Sequence, residues 1–221
     1  MGYDESFVAA NHAAHSPSKG ISTMPAKPKS SSGEIYQIKV TLLGTRPPIW
    51  RRLLVPADLT LGGLHDVLQS AMGWDQSHLH EFRVGQQRYG APDPTGGGFG
   101  MEDQIDERKV RLHQVLSRVG AKAVYTYDFG DGWEHGIVVE KRLPVDPNLA
   151  YPACTGGRRA CPPEDCGGIP GFYELLNAIR NPNHENREDL LDWLGGEYDP
   201  KAFSIETVNR ALQGRRRRLA F

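Results

Sequence analysis

A chain of 221 residues with a formal net charge of −1 has room for one sizeable core, yet its charges are unevenly spread. Residues 1–33 carry three basic and two acidic side chains and residues 204–221 carry five and one, leaving 18 basic against 24 acidic groups between them. A body that acidic excludes broad phosphate-backbone binding, which draws on counterion release, and no apolar run approaches the roughly 18–20 residues of a membrane span.

Met1 to Gly33 is rich in Ala, Ser, Pro, Lys and His without periodicity, which predicts a disordered tail. It lacks the basic and apolar regions of a secretory signal. The sequence therefore predicts a cytoplasmic protein whose three cysteines are reduced thiols or metal ligands, not disulfides.

Residues 34–213 read as a single domain. Ile35 to Leu43 and Trp50 to Val55 have strand composition and flank a turn at Pro47-Pro48, which predicts an antiparallel hairpin. Thr60 caps a helix with Leu61, Leu64, Val67, Leu68 and Ala71 at helical spacing, and Gly73 ends it. Leu79 to Val84 and Arg88-Tyr89 form a second hairpin, followed by a flexible insert from Ala91 to Glu107 that holds Gly96-Gly-Gly98. Leu112, Val115, Leu116 and Val119 suggest a short helix. Ala123 to Phe129 places Tyr125, Tyr127 and Phe129 on one face, with a return strand from Glu134 to Leu143 after the Gly130-Asp-Gly132 turn. The aromatics read as core in preference to a base-stacking platform.

A cysteine loop follows, then helices around Phe172 to Ile179, from Asn186 to Leu194, and from Ser204. Strands first and helices last predict an α+β fold: a mostly antiparallel sheet covered by helices on one face, with a C-terminal helical segment. Residues 214–221, with Arg215, Arg216, Arg217 and Arg218, read as a basic tail, either solvated or touching nucleic acid or an acidic protein partner.

Three constellations carry ligand or acid/base chemistry. Cys154, Cys161 and Cys166 lie in a glycine- and proline-rich loop with little apolar content, and a zinc ion would explain how it holds a shape. His135 is the first choice for a fourth ligand and His184 the second. The alternative is three plain thiols, with turns and a carboxylate network around Glu164 and Asp165 holding the loop. His78 and His80 alternate onto one face of a strand as a second pair of potential ligands, or as one buried and one exposed histidine. Asp128, Asp131, Glu134 and His135 bracket a tight turn and can converge on one end of the sheet, where Asp131 also suits the turn itself. No phosphate-binding loop, dinucleotide fingerprint, serine elbow or zinc-protease motif occurs, so no nucleotide or organic cofactor is expected.

Tyr36-Gln-Ile-Lys-Val40, Pro48-Ile-Trp-Arg-Arg52, Leu79-His-Glu-Phe82, Tyr127-Asp-Phe-Gly-Asp-Gly-Trp-Glu-His135, Tyr151-Pro-Ala-Cys154 and Ala160-Cys-Pro-Pro-Glu-Asp-Cys-Gly-Gly168 stand in an order that resembles the plasmid pRiA4b ORF-3-like family, also labelled TnpR-like passenger proteins of insertion elements. The resemblance runs from about Glu34 to Leu212 and implies a compact α+β domain carried by mobile elements and chromosomes, without a defined reaction. Three functions are therefore weighed. The first is an accessory or binding module, zinc-stabilised or not, contacting protein or nucleic acid. The alternative is a metal-dependent hydrolase of phosphoester bonds built from His80, Asp131, Glu134 and His135. The last, a serine recombinase, needs a placed nucleophilic serine, and Ser30 to Ser32 lie in the tail.

Overall fold

The computed structural model describes residues 33–91 and 104–218, excepting the side chains of residues 215–218. The predicted tail, Ser30 to Ser32 within it, and the Gly96 triplet lie outside the described residues.

Alternation of apolar and polar residues builds the sheet. β1 (Glu34–Leu42) and β2 (Ile49–Pro56) form the first hairpin, with Ile38 opposite Leu53. β3 (His80–Val84) and β4 (Gln87–Gly90) form the second. β6 (Lys122–Tyr127) and β7 (Trp133–Pro144) form the third, between β3 and β1. Two short strands complete the edges: β5 (Ile105–Asp106) beside β4, in the one parallel pairing among the described residues, and β8 (Ala153–Arg158) beside β2. The order is β5-β4-β3-β6-β7-β1-β2-β8.

One face is apolar and covered. Tyr36, Ile38, Leu53, Tyr125, Trp133 and Ile137 are buried on it beneath α1 (Leu61–Met72). Thr60 accepts a hydrogen bond from Gly63 N at 3.0 Å and Gly73 closes the helix at φ 93°, both as the sequence predicts. Such a cap contributes about 1 kcal/mol. The other face is polar, with Arg52 Nε donating to Glu140 Oε2 at 2.6 Å and Gln37 Nε2 donating to the same oxygen at 2.8 Å.

The remaining helices are α2 (Leu112–Val115), α3 (Gly168–Arg180), α4 (Arg187–Leu194) and α5 (Ile205–Arg218). α5 packs on α1 and β8. Its start is fixed by Ser204, whose Oγ accepts from Thr207 N at 3.1 Å. The fold is α+β as expected. No helix among the described residues is long and apolar enough to cross a membrane.

Four local expectations change. The expected flexible insert from Ala91 to Glu107 is ordered at its described end, where β5 pairs with β4 and Glu107 is buried against His80. Cys154 belongs to a strand, because the open edge of β2 recruits residues that on their own composition read as loop. Phe129 is 44% exposed, since β6 ends at Tyr127 and Asp128 turns left-handed at φ 55°, breaking the alternation. The backbone of α5 continues through Arg218, so the four arginines ride a helix end.

Candidate functional site

The turn after β6, the segment before β3 and the loop between β8 and α3 meet at one corner of the sheet. Trp74, just past α1, anchors that corner. Its ring stacks on Tyr127 at 5.0 Å and stands edge-on to His135 at 5.2 Å, while its Nε1 donates to Pro162 O at 3.0 Å. Tyr127 reaches past it to donate to Glu164 Oε1 at 3.1 Å, and the same oxygen accepts from Asp75 N at 2.9 Å. Burial raises the Glu164 carboxyl above its ordinary range. Tyr198 OH donates to Cys161 O at 2.9 Å from the other side. Aromatic packing and these bonds give shape to a loop with few apolar residues of its own.

Glycines allow the loop to close on the turn. Gly167 N donates to Asp131 Oδ2 at 3.2 Å, and a Cβ on Gly168 (φ 65°) would strike the Asp131 carbonyl. Asp131 therefore docks α3 onto the hairpin turn.

His78, Asp128 and Asp165 converge here. Each offers one ligand atom, and these atoms lie within 4.8 Å of one another, the one such group of three among the described residues. His78 Nε2 is 2.9 Å from Asp165 Oδ1 and 3.8 Å from Asp128 Oδ2. The shorter contact has ion-pair distance but lacks hydrogen-bond direction, because buried Nε2 finds no hydrogen-bond partner. Asp128 is 7% exposed, and its Oδ1 accepts from Gly130 N at 2.9 Å. Asp165 is open to solvent, its side chain 65% exposed. Both aspartates are left-handed, at φ 55° and 54°, and Gln76 beside His78 stands at 70°. Such backbone costs roughly 1–3 kcal/mol per residue and concentrates where function requires a fixed geometry.

The sequence-predicted sets are placed elsewhere. Cys154 Sγ donates to Gly156 O at 3.4 Å on β8; Cys161 Sγ lies 3.2 Å from Met72 Sδ and accepts from Arg51 Nη2 at 3.4 Å. Burial, with the Asp131 charge beside it, pushes the Cys166 thiol up to about 12. His135 is fully buried, with Nδ1 3.1 Å from Trp133 O, and His184 pairs with Glu174 at 3.0 Å. These residues do not come together as a four-ligand set because strand pairing on β2 and β7 fixes Cys154 and His135 before the loop reaches Cys166.

Nor do His80, Asp131, Glu134 and His135 come together as a ligand set. His80 stacks on His65 at 3.5 Å and meets Glu107 at 2.9 Å; Glu134 pairs loosely with Arg83 at 3.8 Å; consecutive Glu134 and His135 leave opposite faces of β7, one exposed and one buried. His78 and His80 part company because β3 begins at His80, so strand alternation does not extend to His78.

A family model described as plasmid pRiA4b ORF-3-like protein matches residues 34–207. The uncharacterized protein y4hQ of Sinorhizobium fredii is 40% identical over 180 residues, covering 80% of this chain and 90% of that protein. A crystal structure of the protein of unknown function MM3350 from Methanosarcina mazei Go1 superposes with a TM-score of 0.71 at 37% identity, covering 79% of this chain and 96% of that one.

Proposed function

The chain belongs to the plasmid pRiA4b ORF-3-like protein family, and from that premise we propose a metal-stabilised accessory protein, its divalent cation held by His78, Asp128 and Asp165 and its role exerted through protein or nucleic-acid contacts. The carrying observation is the convergence of one imidazole and two carboxylates whose ligand atoms lie within 4.8 Å. An ion sits about 2.0–2.2 Å from nitrogen and oxygen ligands, so a modest swing of exposed Asp165 closes the set. The off-line contact between Nε2 and Oδ1 also fits, since ligands aim lone pairs at a common centre rather than at each other. Nitrogen and oxygen donors suit zinc and manganese. The cation would clip the cysteine loop to the hairpin turn, the role first expected of the thiols.

Untagged protein freed of metal by chelation and dialysis should bind one zinc or manganese ion per chain in calorimetry. Asp128→Asn and His78→Ala should weaken that binding by about 10- to 100-fold or more, while Cys154→Ser and Cys161→Ser leave it in place. Binding that follows the thiols and ignores Asp128 would overturn the assignment.

The four arginines on the end of α5 are the contact proposed for nucleic acid. If all four meet phosphates of a duplex, the logarithm of affinity should fall with that of salt with a slope near −3.6, about −0.9 for each. Ending the chain after Gln213 should remove most of that slope; an unchanged slope would place the contact elsewhere.

A second reading, a metal-dependent phosphoester hydrolase, is favoured by the exposure of Asp165, which leaves coordination positions open to water. It expects metal-loaded protein to cleave bis(p-nitrophenyl) phosphate and Asp128→Asn to abolish that cleavage along with ion binding.

A further inference from the structure

A cation with no carboxylate partner among the described residues stands on the apolar side of the sheet. Along β2, Ile49, Leu53 and Val55 are buried inward, and the position between Ile49 and Leu53 in that alternation belongs to Arg51, which is 4% exposed. Nε donates to Ala71 O at 3.0 Å, Nη1 to Trp50 O at 2.9 Å and Arg158 O at 3.2 Å, and Nη2 to Cys161 Sγ at 3.4 Å. A guanidinium has five N–H donors, so one on Nη2 has no acceptor among the described residues. No carboxylate of the described residues lies within ion-pair reach of Arg51. The Phe203 ring centroid lies 4.7 Å from the central guanidinium carbon, and Gly157 leaves the space in which Phe203 lies.

Arg51 borders a cavity of about 640 Å³ between the end of α1, the cysteine loop and α5, with Met72, Cys161, Phe203 and Val208 among its apolar walls and Thr207 and Ala211 at its exposed rim. The volume falls in the range of small-molecule sites, roughly 300–1,000 Å³, which pair apolar walls with a few fixed polar groups. We propose that this cavity binds a small apolar monocarboxylate, its carboxylate meeting the Arg51 guanidinium and its hydrocarbon body lying between α1 and α5. Charge complementarity selects the headgroup: a buried cation with no acid partner among the described residues favours an anion over a neutral or cationic analogue of the same shape. Three carbonyls and the Cys161 sulfur take the other donors of the guanidinium and fix it before a ligand arrives. The inference uses none of the three residues proposed to hold the cation.

Octanoate, 1-octanol and octylammonium distinguish headgroup recognition from generic greasiness. Calorimetry on the full-length protein should give saturable one-to-one binding of octanoate at least about tenfold tighter than of 1-octanol, and none of octylammonium. Ala211→Trp fills the cavity from an exposed helix position and should remove octanoate binding while leaving the melting temperature near that of the wild type. Arg51→Gln, if folded by circular dichroism, should bring octanoate and 1-octanol to equal affinity. Equal affinities in the wild type, octanoate binding that survives Ala211→Trp, or no saturation at millimolar octanoate would each overturn the proposal.

Discussion

Alanine at Gly171 is expected to destabilise the protein by about 3 kcal/mol, although alanine in a helix interior is ordinarily favoured over glycine by about 0.8–1 kcal/mol. Gly171 lies in the first turn of α3, and a Cβ there would overlap the carbonyl of Cys166, a backbone atom with no side-chain freedom to withdraw. The clash must move either the helix or the loop. The loop is held by Trp74 on Pro162 O and by Tyr198 on Cys161 O, and the helix start is held by Asp131 on Gly167 N. Gly214 is the control: it lies in α5 with open space around the same atom, so Gly214→Ala should raise stability, by at most that propensity difference so near the helix end. For a domain of this size about 3 kcal/mol corresponds to a fall of roughly 6–12 °C in melting temperature. Asp165 is next to Cys166, so Gly171→Ala should also weaken divalent-cation binding. A Gly171→Ala protein that melts at or above the wild-type temperature would falsify this view of the junction between loop and helix.

How far the sequence revealed this molecule depends on whether the signal was local. β1, β2 and α1 follow from alternation, helical spacing and the Thr60 and Gly73 caps, all contained within a few residues. β8 does not, because Thr155-Gly-Gly157 has poor strand propensity and is ordered by the free edge of β2 and the packing of Phe203 on Gly157. The position of the candidate site was legible, since the turn after Tyr127 and the loop around Asp165 do meet. Its members were misgrouped for two physical reasons. His78 precedes β3, so its side chain does not obey the strand alternation that would pair it with His80. Asp128 and Asp165 take left-handed backbone, which residue type alone does not announce, and it turns their carboxylates toward His78. Arg51 left a readable trace: a cation at an inward position of an otherwise apolar alternation.

Acid is expected to destabilise the protein through His135, between about pH 6.5 and pH 4, before most carboxylates titrate. Its ring is fully buried; Nδ1 lies 3.1 Å from Trp133 O and 3.3 Å from Tyr125 O, close enough to donate, and Nε2 has no hydrogen-bond partner. Protonation would place charge on Nε2 beside the rings of Trp74 and Tyr125. Burial therefore lowers the imidazole from 6.5 to about 4, against the opposing pull of the two carbonyls. Between those values the unfolded chain binds a proton that the folded chain refuses, so stability rises with pH across the window. The contribution is fully present above the unfolded value and is lost as pH falls through the folded one. A separation of about 2.5 units at 1.36 kcal/mol each gives roughly 3 kcal/mol. His135→Asn keeps an amide donor near the Nδ1 position but cannot be protonated there, so its stability should start lower at pH 7 and change less between pH 6.5 and 4. Glu140 is held below its ordinary range chiefly by its hydrogen bond from Arg52, and it contributes acid sensitivity below the carboxylate range in both proteins. The difference between urea-unfolding profiles of wild type and variant isolates the imidazole, and parallel profiles from pH 7 to pH 4 would mean that water reaches Nε2 and solvates the charge.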